Sequence, residues 1–363
     1  MNGFLKISVR IFLAVVAVVA VTSCNSDSDG NGTFDVIIDT DLGGDPDDIQ
    51  SLFRAVHYSD ILKIKGIVST PCTQLEAHPL DTIPRVELIS TWIKRIDVDY
   101  LRDQGYNNLM DEQTLLDLVK LGSVLPGSPT PDKSSEGSEW IIKTARNYSQ
   151  ENPLWILVWG SITSTAQALH DAPDIADKIR IYYISSSNTL HDPASRDYIF
   201  DFMQNDYTEL WWIENGILPR GTHETFRGIY QSGLQEGEWS YTSFIEQNIR
   251  NHGSTHNGLF EEKCGDVFPV ANWPTNSLKE GDSPSLLYLK SSILGNVGDV
   301  DDPTEESWGG QFRHYHKEIF PNYYVDLDLP PAECQWTIGK WRYDILKDWK
   351  QRWDRYEVRE SKK

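Results

Sequence analysis

Val36-Ile37-Ile38-Asp39-Thr40-Asp41-Leu42-Gly43-Gly44-Asp45-Pro46-Asp47-Asp48 runs from an unbroken apolar stretch straight into five carboxylates within ten residues. Three consecutive β-branched residues, Val36 to Ile38, fit a strand covered on both faces, as in a parallel sheet. Ile49-Gln50-Ser51-Leu52-Phe53-Arg54-Ala55-Val56 then reads as a helix. Asp47 and Asp48 fall in its first turn, where the helix dipole favours negative charge. The acidic cluster therefore lies at the carboxyl end of a strand, the crevice in which open α/β sheets bind ligands.

Carboxylates packed this closely raise one another's pKa values unless a cation lies between them. Oxygen donors without Cys or His suit calcium or magnesium rather than zinc. The bland alternative is a solvated acidic loop. An EF-hand does not fit: counted from Asp39, Gly44 fills the sixth position, but Gly43 stands at the fifth and Gln50 at the twelfth. A phosphatase of the Asp-x-Asp-x-Thr type is disfavoured too, because Gly43 occupies the Thr position.

Outward from the cluster, strand and helix patterns alternate. Leu62 to Val68 reads as a strand and Ile83 to Tyr100, after Pro84, as a helical stretch. Leu121 to Gly137, with three Pro and three Gly, reads as a loop leading to a helix around Trp140. Trp155 to Val158 and Ile179 to Ile184 are strands joined by a helix from Thr163 to His170. The fold class expected is α/β, an open and mostly parallel sheet with helices on both faces. Gly253 to Ser285 is loop-like in composition and is expected to roof the site.

These residues carry a resemblance. Asp39-Thr40-Asp41-Leu42-Gly43 followed by Asp47-Asp48 resembles the N-terminal Asp-x-Asp-x-Gly-x-Asp-Asp signature of nucleoside hydrolases, with two residues inserted before the final pair. The Gly-Gly-Asp-Pro-Asp-Asp form is similar to the branch that includes cellulose-binding nucleoside-hydrolase-like proteins. Trp155 to Ala166 resembles the central strand and its Gly-x-x-Thr-Asn-x-Ala turn, with Ser164 replacing the Asn. Glu280-Gly281-Asp282-Ser283-Pro284-Ser285 and Trp308-Gly309-Gly310 look like C-terminal motifs of that branch. The resemblance spans most of residues 34 to 355.

What the resemblance implies is a Ca²⁺ centre. Asp41 would be a ligand and the general base, and Asp48, the carbonyl of Trp159 and Asp282 further ligands. Asp47 would contact sugar hydroxyls, although the insertion leaves Asp45 open as an alternative for that role or as an added ligand. N-glycosyl cleavage passes through an oxocarbenium-like state that carboxylates stabilise, with water activated by the calcium. Nucleoside hydrolases place a His before the distal Asp to protonate the leaving base; this chain has Gly281 there. Two functions therefore stay open: a hydrolase of nucleoside-like N-glycosyl bonds, and a non-catalytic, calcium-dependent carbohydrate or polysaccharide binder. Asp282 itself, before Ser283-Pro284, also fits a plain helix start.

Other candidates are more scattered. Asn188, Asn205 and Glu214 follow the fourth expected strand, where that family keeps Asn and Glu for ribose hydroxyls; turn and cap roles compete. Trp211 and Trp212 fit either a stacking platform or the core. His314 and His316 flank Tyr315 and would share one face of a strand, making His314 a candidate substrate contact and proton donor. Trp341, Ile345, Trp349 and Trp353 recur every four residues, as helix packing requires.

A formal charge of -21 over 363 residues argues against nucleic acid or anionic membrane surfaces as partners. A small neutral nucleoside or sugar is compatible, and an oligomer is left open. Residues 1–23 read as a lipoprotein signal peptide: Lys6 and Arg10 precede the apolar run Ile11 to Val21, and Val21-Thr22-Ser23-Cys24 resembles a bacterial processing site. Residues 24–33 form a polar tether and 34–363 the domain. The expected location is the cell envelope, with the membrane touched only through a lipidated Cys24; a plain secretory signal is the alternative. Cys72, Cys264 and Cys334 show no close spacing, so neither a zinc site nor a disulfide framework is indicated.

Overall fold

The computed structural model describes residues 32–43, 46–71, 85–216, 229, 232–249 and 277–356. The expected signal peptide, Cys24, Asp45, Cys72, Cys264 and most of the loop-like run after Gly253 lie outside them.

In chain order the elements are β1 (Phe34–Thr40), α1 (Pro46–His57), β2 (Leu62–Ser69), α2 (Arg85–Ile96), α3 (Val98–Asp103), α4 (Glu112–Asp117), β3 (Val119–Leu121), α5 (Glu136–Ala145), β4 (Leu154–Val158) and α6 (Thr163–Asp171). There follow β5 (Ile179–Ile184), α7 (Ser186–His191), α8 (Pro193–Asn205), β6 (Trp211–Asn215), α9 (Ser243–Asn248), α10 (Ser283–Lys290), β7 (Phe312–His314), β8 (Tyr323–Asp326), α11 (Pro331–Gly339) and α12 (Arg342–Trp353). Among the described residues the strands form one sheet in the order β3-β2-β1-β4-β5-β6-β8-β7. Every pairing is parallel except β7 with β8. After β1 the chain builds toward one edge, and from β4 it builds toward the other. The boundary between β1 and β4 is thus the topological switch point, where such sheets open a crevice at their carboxyl ends.

Alternation along the central strands separates two cores. Val36 and Ile38 of β1 join Trp155, Leu157 and Trp159 in the layer packed by α1, α2, α10 and α12. Ile37, Ile156 and Val158 face the opposite layer, filled by α5, α6 and α8. Both faces being covered explains why β1 and β4 carry continuous apolar runs. Trp349 and Trp353 are buried against Phe53 and His57 of α1, which accounts for the four-residue Trp spacing.

Two expected segments differ. The helical stretch from Ile83 to Tyr100 breaks at Asp97, which takes a left-handed φ of 52° and caps α3 through its side chain. The loop from Leu121 to Gly137 is bounded by regular structure: Leu121 closes the three-residue strand β3, and Gly137 sits inside α5. Three residues are too few for a periodic signal to emerge.

Candidate metal centre

The site begins with the way β1 ends. Thr40 donates its hydroxyl to the Asp48 carboxylate and accepts the Leu42 N–H at 3.1 Å, tying the loop to the first turn of α1. Arg85, opening α2, donates to the carbonyls of Asp41 and Leu42 at 3.1 and 2.9 Å. Beside β1, the Trp159 N–H donates to the Asp39 carbonyl at 2.8 Å, extending the β4 ladder to the switch point. Gly160 then makes room for Asp41: a Cβ there would stand 2.6 Å from Asp41 Cβ and 2.7 Å from its Cγ.

The distal Asp is delivered by a strap, residues 277–282, that lies on the polar face of α1. Gln50 accepts the N–H groups of Lys279 and Glu280 at 2.7 and 3.0 Å and donates to the Ser277 carbonyl at 3.0 Å. Ser51 pairs with Ser283 at 3.0 Å. Arg54 grips Glu280 through two bonds, Nε to Oε1 at 2.8 Å and Nη2 to Oε2 at 2.5 Å, with both side chains fully buried. Glu280 holds a left-handed φ of 46° under these restraints. The strap ends at Asp282, which occupies the N-cap position of α10 yet makes no capping hydrogen bond through its side chain. Its Oδ2 is instead buried without a hydrogen-bond partner.

Oxygens of Asp47, Asp48 and Asp282 come within 4.8 Å of one another, and all three residues are buried. Burial, followed by the charges of Asp41 and Asp47, pushes the Asp48 carboxyl well above the ordinary carboxylate range. Burial and the charges of Asp47, Asp48 and Asp41 do the same to Asp282, opposed by Lys279. Asp39 is also raised, mainly by burial, while Thr165 donates to it from α6 at 3.2 Å. A divalent cation would supply the charge that this pocket lacks, and an all-oxygen, buried donor set that includes the unpartnered Asp282 Oδ2 fits calcium or magnesium. Asp41 stands beside this trio, close enough for its charge to raise both Asp48 and Asp282.

The carbonyl of Trp159 faces α7, where Asn188 donates to it at 2.8 Å and to Ile184 at 2.9 Å. A carbonyl oxygen has a second lone pair, so this bond orients the group without exhausting it. Asn188 thus orients the Trp159 carbonyl.

The remaining candidates are placed elsewhere. Glu214 is fully buried and held by Arg196, with two contacts of 2.8 Å, and by the Tyr323 hydroxyl, so its carboxylate is engaged inside the core. Asn205 is exposed at the end of α8 and bonds back to the Asp201 carbonyl. Because α8 returns antiparallel to the strands, that end lies at the amino ends of the strands, opposite to the acidic cluster. His314 ends β7, the outermost strand, five strand spacings or about 24 Å from β1. Its ring packs on Tyr324 with centroids 4.5 Å apart, and the backbone turns at His316 with φ 52°, so the two histidines do not share a strand face. Trp211 packs edge-on against Trp155 and Trp212 stacks on Tyr323, each at 4.9 Å between centroids, which makes both core residues.

An open, mostly parallel sheet with a buried carboxylate centre at its switch point defines an α/β protein of the nucleoside-hydrolase-like class. A family profile described as cellulose-binding Sde182, nucleoside hydrolase-like domain, matches residues 35–312, and the chain belongs to that family. No curated protein matches. Among solved structures, a nucleoside hydrolase-related hypothetical protein from Saccharophagus degradans, associated with carbohydrate metabolism, aligns with TM-score 0.61 and 20% identity over 90% of this chain and 72% of that one. The type III effector protein XopQ, complexed with adenosine diphosphate ribose, aligns with TM-score 0.50 and 12% identity over 86% and 94% of the two chains. An inosine-uridine preferring nucleoside hydrolase from Bacillus anthracis aligns with TM-score 0.48 and 14% identity over 89% and 99%. At these identities the likeness concerns the fold.

Proposed function

We propose that the protein is an exported, lipid-anchored hydrolase of nucleoside-like N-glycosyl bonds that depends on calcium. The observation carrying this reading is the buried convergence of Asp47 and Asp48 with Asp282, more than 230 residues later in the chain. Asp41, Asp48, Asp282 and the Trp159 carbonyl would hold the ion, and Asp47, whose carboxylate lies in the same trio, would reach from it to the sugar. Calcium, when bound, would lower the pKa of a coordinated water and fix sugar hydroxyls. Asp41, which lies against Gly160, would take the proton of the attacking water, and Asp47 would accept hydrogen bonds from the sugar. The surrounding carboxylates favour the positive charge that develops on the sugar ring. Export and anchoring rest on the N-terminal segment ending at Cys24.

A second reading is favoured by one residue. Gly281 brings no side chain to the place where a leaving-group acid is expected, and the family description names cellulose binding. In that reading the same centre orients sugar hydroxyls without turnover. A panel of nucleosides, aryl glycosides and cello-oligosaccharides, assayed with calcium and with chelator, separates the two. The hydrolase reading expects calcium-dependent release that Asp41→Asn abolishes, while Asp47→Ala mainly raises KM. Binding of cello-oligosaccharides with no turnover of any substrate would transfer the conclusion to the second reading.

A further inference from the structure

Lys279 is a cation built into the acidic centre. Its side chain is 3% exposed, and Nζ stands 3.7 Å from Asp47 Oδ1. The backbone that carries it is fixed: its N–H and that of Glu280 both bond to Gln50 of α1, and the next link, Arg54 to Glu280, is bidentate. Lysine is rarely buried so completely unless its charge is matched, and here the matching carboxylate is that of Asp47, to which the proposed function gives the sugar contact.

We propose that Lys279 and Asp47 form a two-headed clamp for neighbouring hydroxyls of the sugar. The carboxylate accepts from one hydroxyl while the ammonium donates to the next. A separation of 3.7 Å is longer than a direct N–H···O bond, and it suits two heads that address adjacent oxygens on one ring. The pair also has a consequence for the ion. An ammonium beside the cluster repels a divalent cation, so Lys279 weakens metal binding while it strengthens sugar binding. A residue present only to balance the carboxylates would repel the cation equally but would show no dependence on individual hydroxyls.

The inference rests on the nucleoside-like reading above, taken with a ribosyl sugar, and the test keeps the two apart. Stopped-flow binding of inosine, 2′-deoxyinosine and 3′-deoxyinosine to calcium-loaded protein, read from tryptophan fluorescence before turnover, would compare wild type with Lys279→Met and Lys279→Arg. Lys279→Met is expected to weaken inosine binding by about 10- to 100-fold, the range for a hydrogen bond from a charged group. It is expected to cost nearly nothing for the deoxy analogue that lacks the clamped hydroxyl. Calcium should bind Lys279→Met at least as tightly as wild type, and Lys279→Arg should recover part of the inosine affinity. Equal loss for inosine and both deoxy analogues, or unchanged inosine affinity, would overturn the clamp. If wild type itself fails to bind inosine, the ribosyl reading fails, and the clamp falls with it. Should Lys279→Met misfold, wild type against the two deoxy analogues still decides: no loss with either analogue refutes the clamp.

Discussion

Gly160→Ala is the sharpest perturbation that the centre offers. The added methyl would lie 2.6 Å from Asp41 Cβ, 2.7 Å from Asp41 Cγ and 2.7 Å from Thr70 Cγ2. Carbon atoms rest about 3.5 to 4.0 Å apart, so Asp41 or Thr70 must retreat by roughly 1 Å. Gly160 does not carry the left-handed φ seen at Gly43 or Gly216, so the cost is one of space and not of backbone strain. Overpacking of this kind destabilises by about 1 to 3 kcal/mol. A catalytic group moved by about 1 Å loses on the order of a hundredfold in rate, equivalent to about 2.7 kcal/mol of barrier. Two assays read the result: steady-state kinetics on the best substrate of the panel, and thermal melting with calcium or chelator. The expected outcome is a lower melting temperature, a large fall in kcat with a smaller change in KM, and a reduced stabilisation by calcium. Wild-type turnover together with an undiminished calcium effect would show that Asp41 does not act from the place it occupies against Gly160.

Arg54→Met would leave Glu280 as an uncompensated charge in a fully buried position. Chemical denaturation should show a loss of about 3 to 5 kcal/mol, and Arg54→Met combined with Glu280→Leu should recover most of it. Lys290 gives a pH signature. It is fully buried, its Nζ lies 3.1 Å from the centroid of the Tyr58 ring without a hydrogen-bond partner, and burial lowers its pKa well below the ordinary 10.5. A folded-state pKa below the unfolded one is a penalty, complete below the folded value and fading as pH rises toward 10.5. Lys290→Met should therefore be more stable than wild type at neutral pH, with the advantage shrinking under alkaline conditions. A constant difference across that range would contradict the assignment.

Much of the fold could be read because β1 and β4 are covered on both faces and so carry uninterrupted apolar runs, Val36 to Ile38 and Leu154 to Val158. The acidic loop was legible for a related reason: Asp47 and Asp48 fall in a helix start directly after a buried strand. Asp282 was ambiguous, since a residue before Ser-Pro is as consistent with a cap as with a ligand. The absent capping bond and the buried oxygen favour the ligand role. What stayed hidden were Gln50, Ser51, Arg54 and Lys279. On a helix such as α1, a polar stripe looks the same whether water or a second polar segment covers it, and only the tertiary fold brings the strap onto it. Glu214 and His314 misled for the converse reason. A carboxylate at a strand end suits a sugar contact until Arg196 and Tyr323 claim it, and a histidine pair says nothing about which strand of the sheet will carry it.

Calorimetric titration of chelator-treated protein with calcium tests the central claim most directly, taking wild type beside Asp48→Asn and Asp282→Asn. One ion per chain should bind wild type, and each substitution, although separated by more than 230 residues, should weaken that same event by at least about tenfold, or roughly 1.4 kcal/mol. No binding by wild type, or an Asp282→Asn variant that binds as wild type does, would contradict a single carboxylate centre spanning the two ends of the domain.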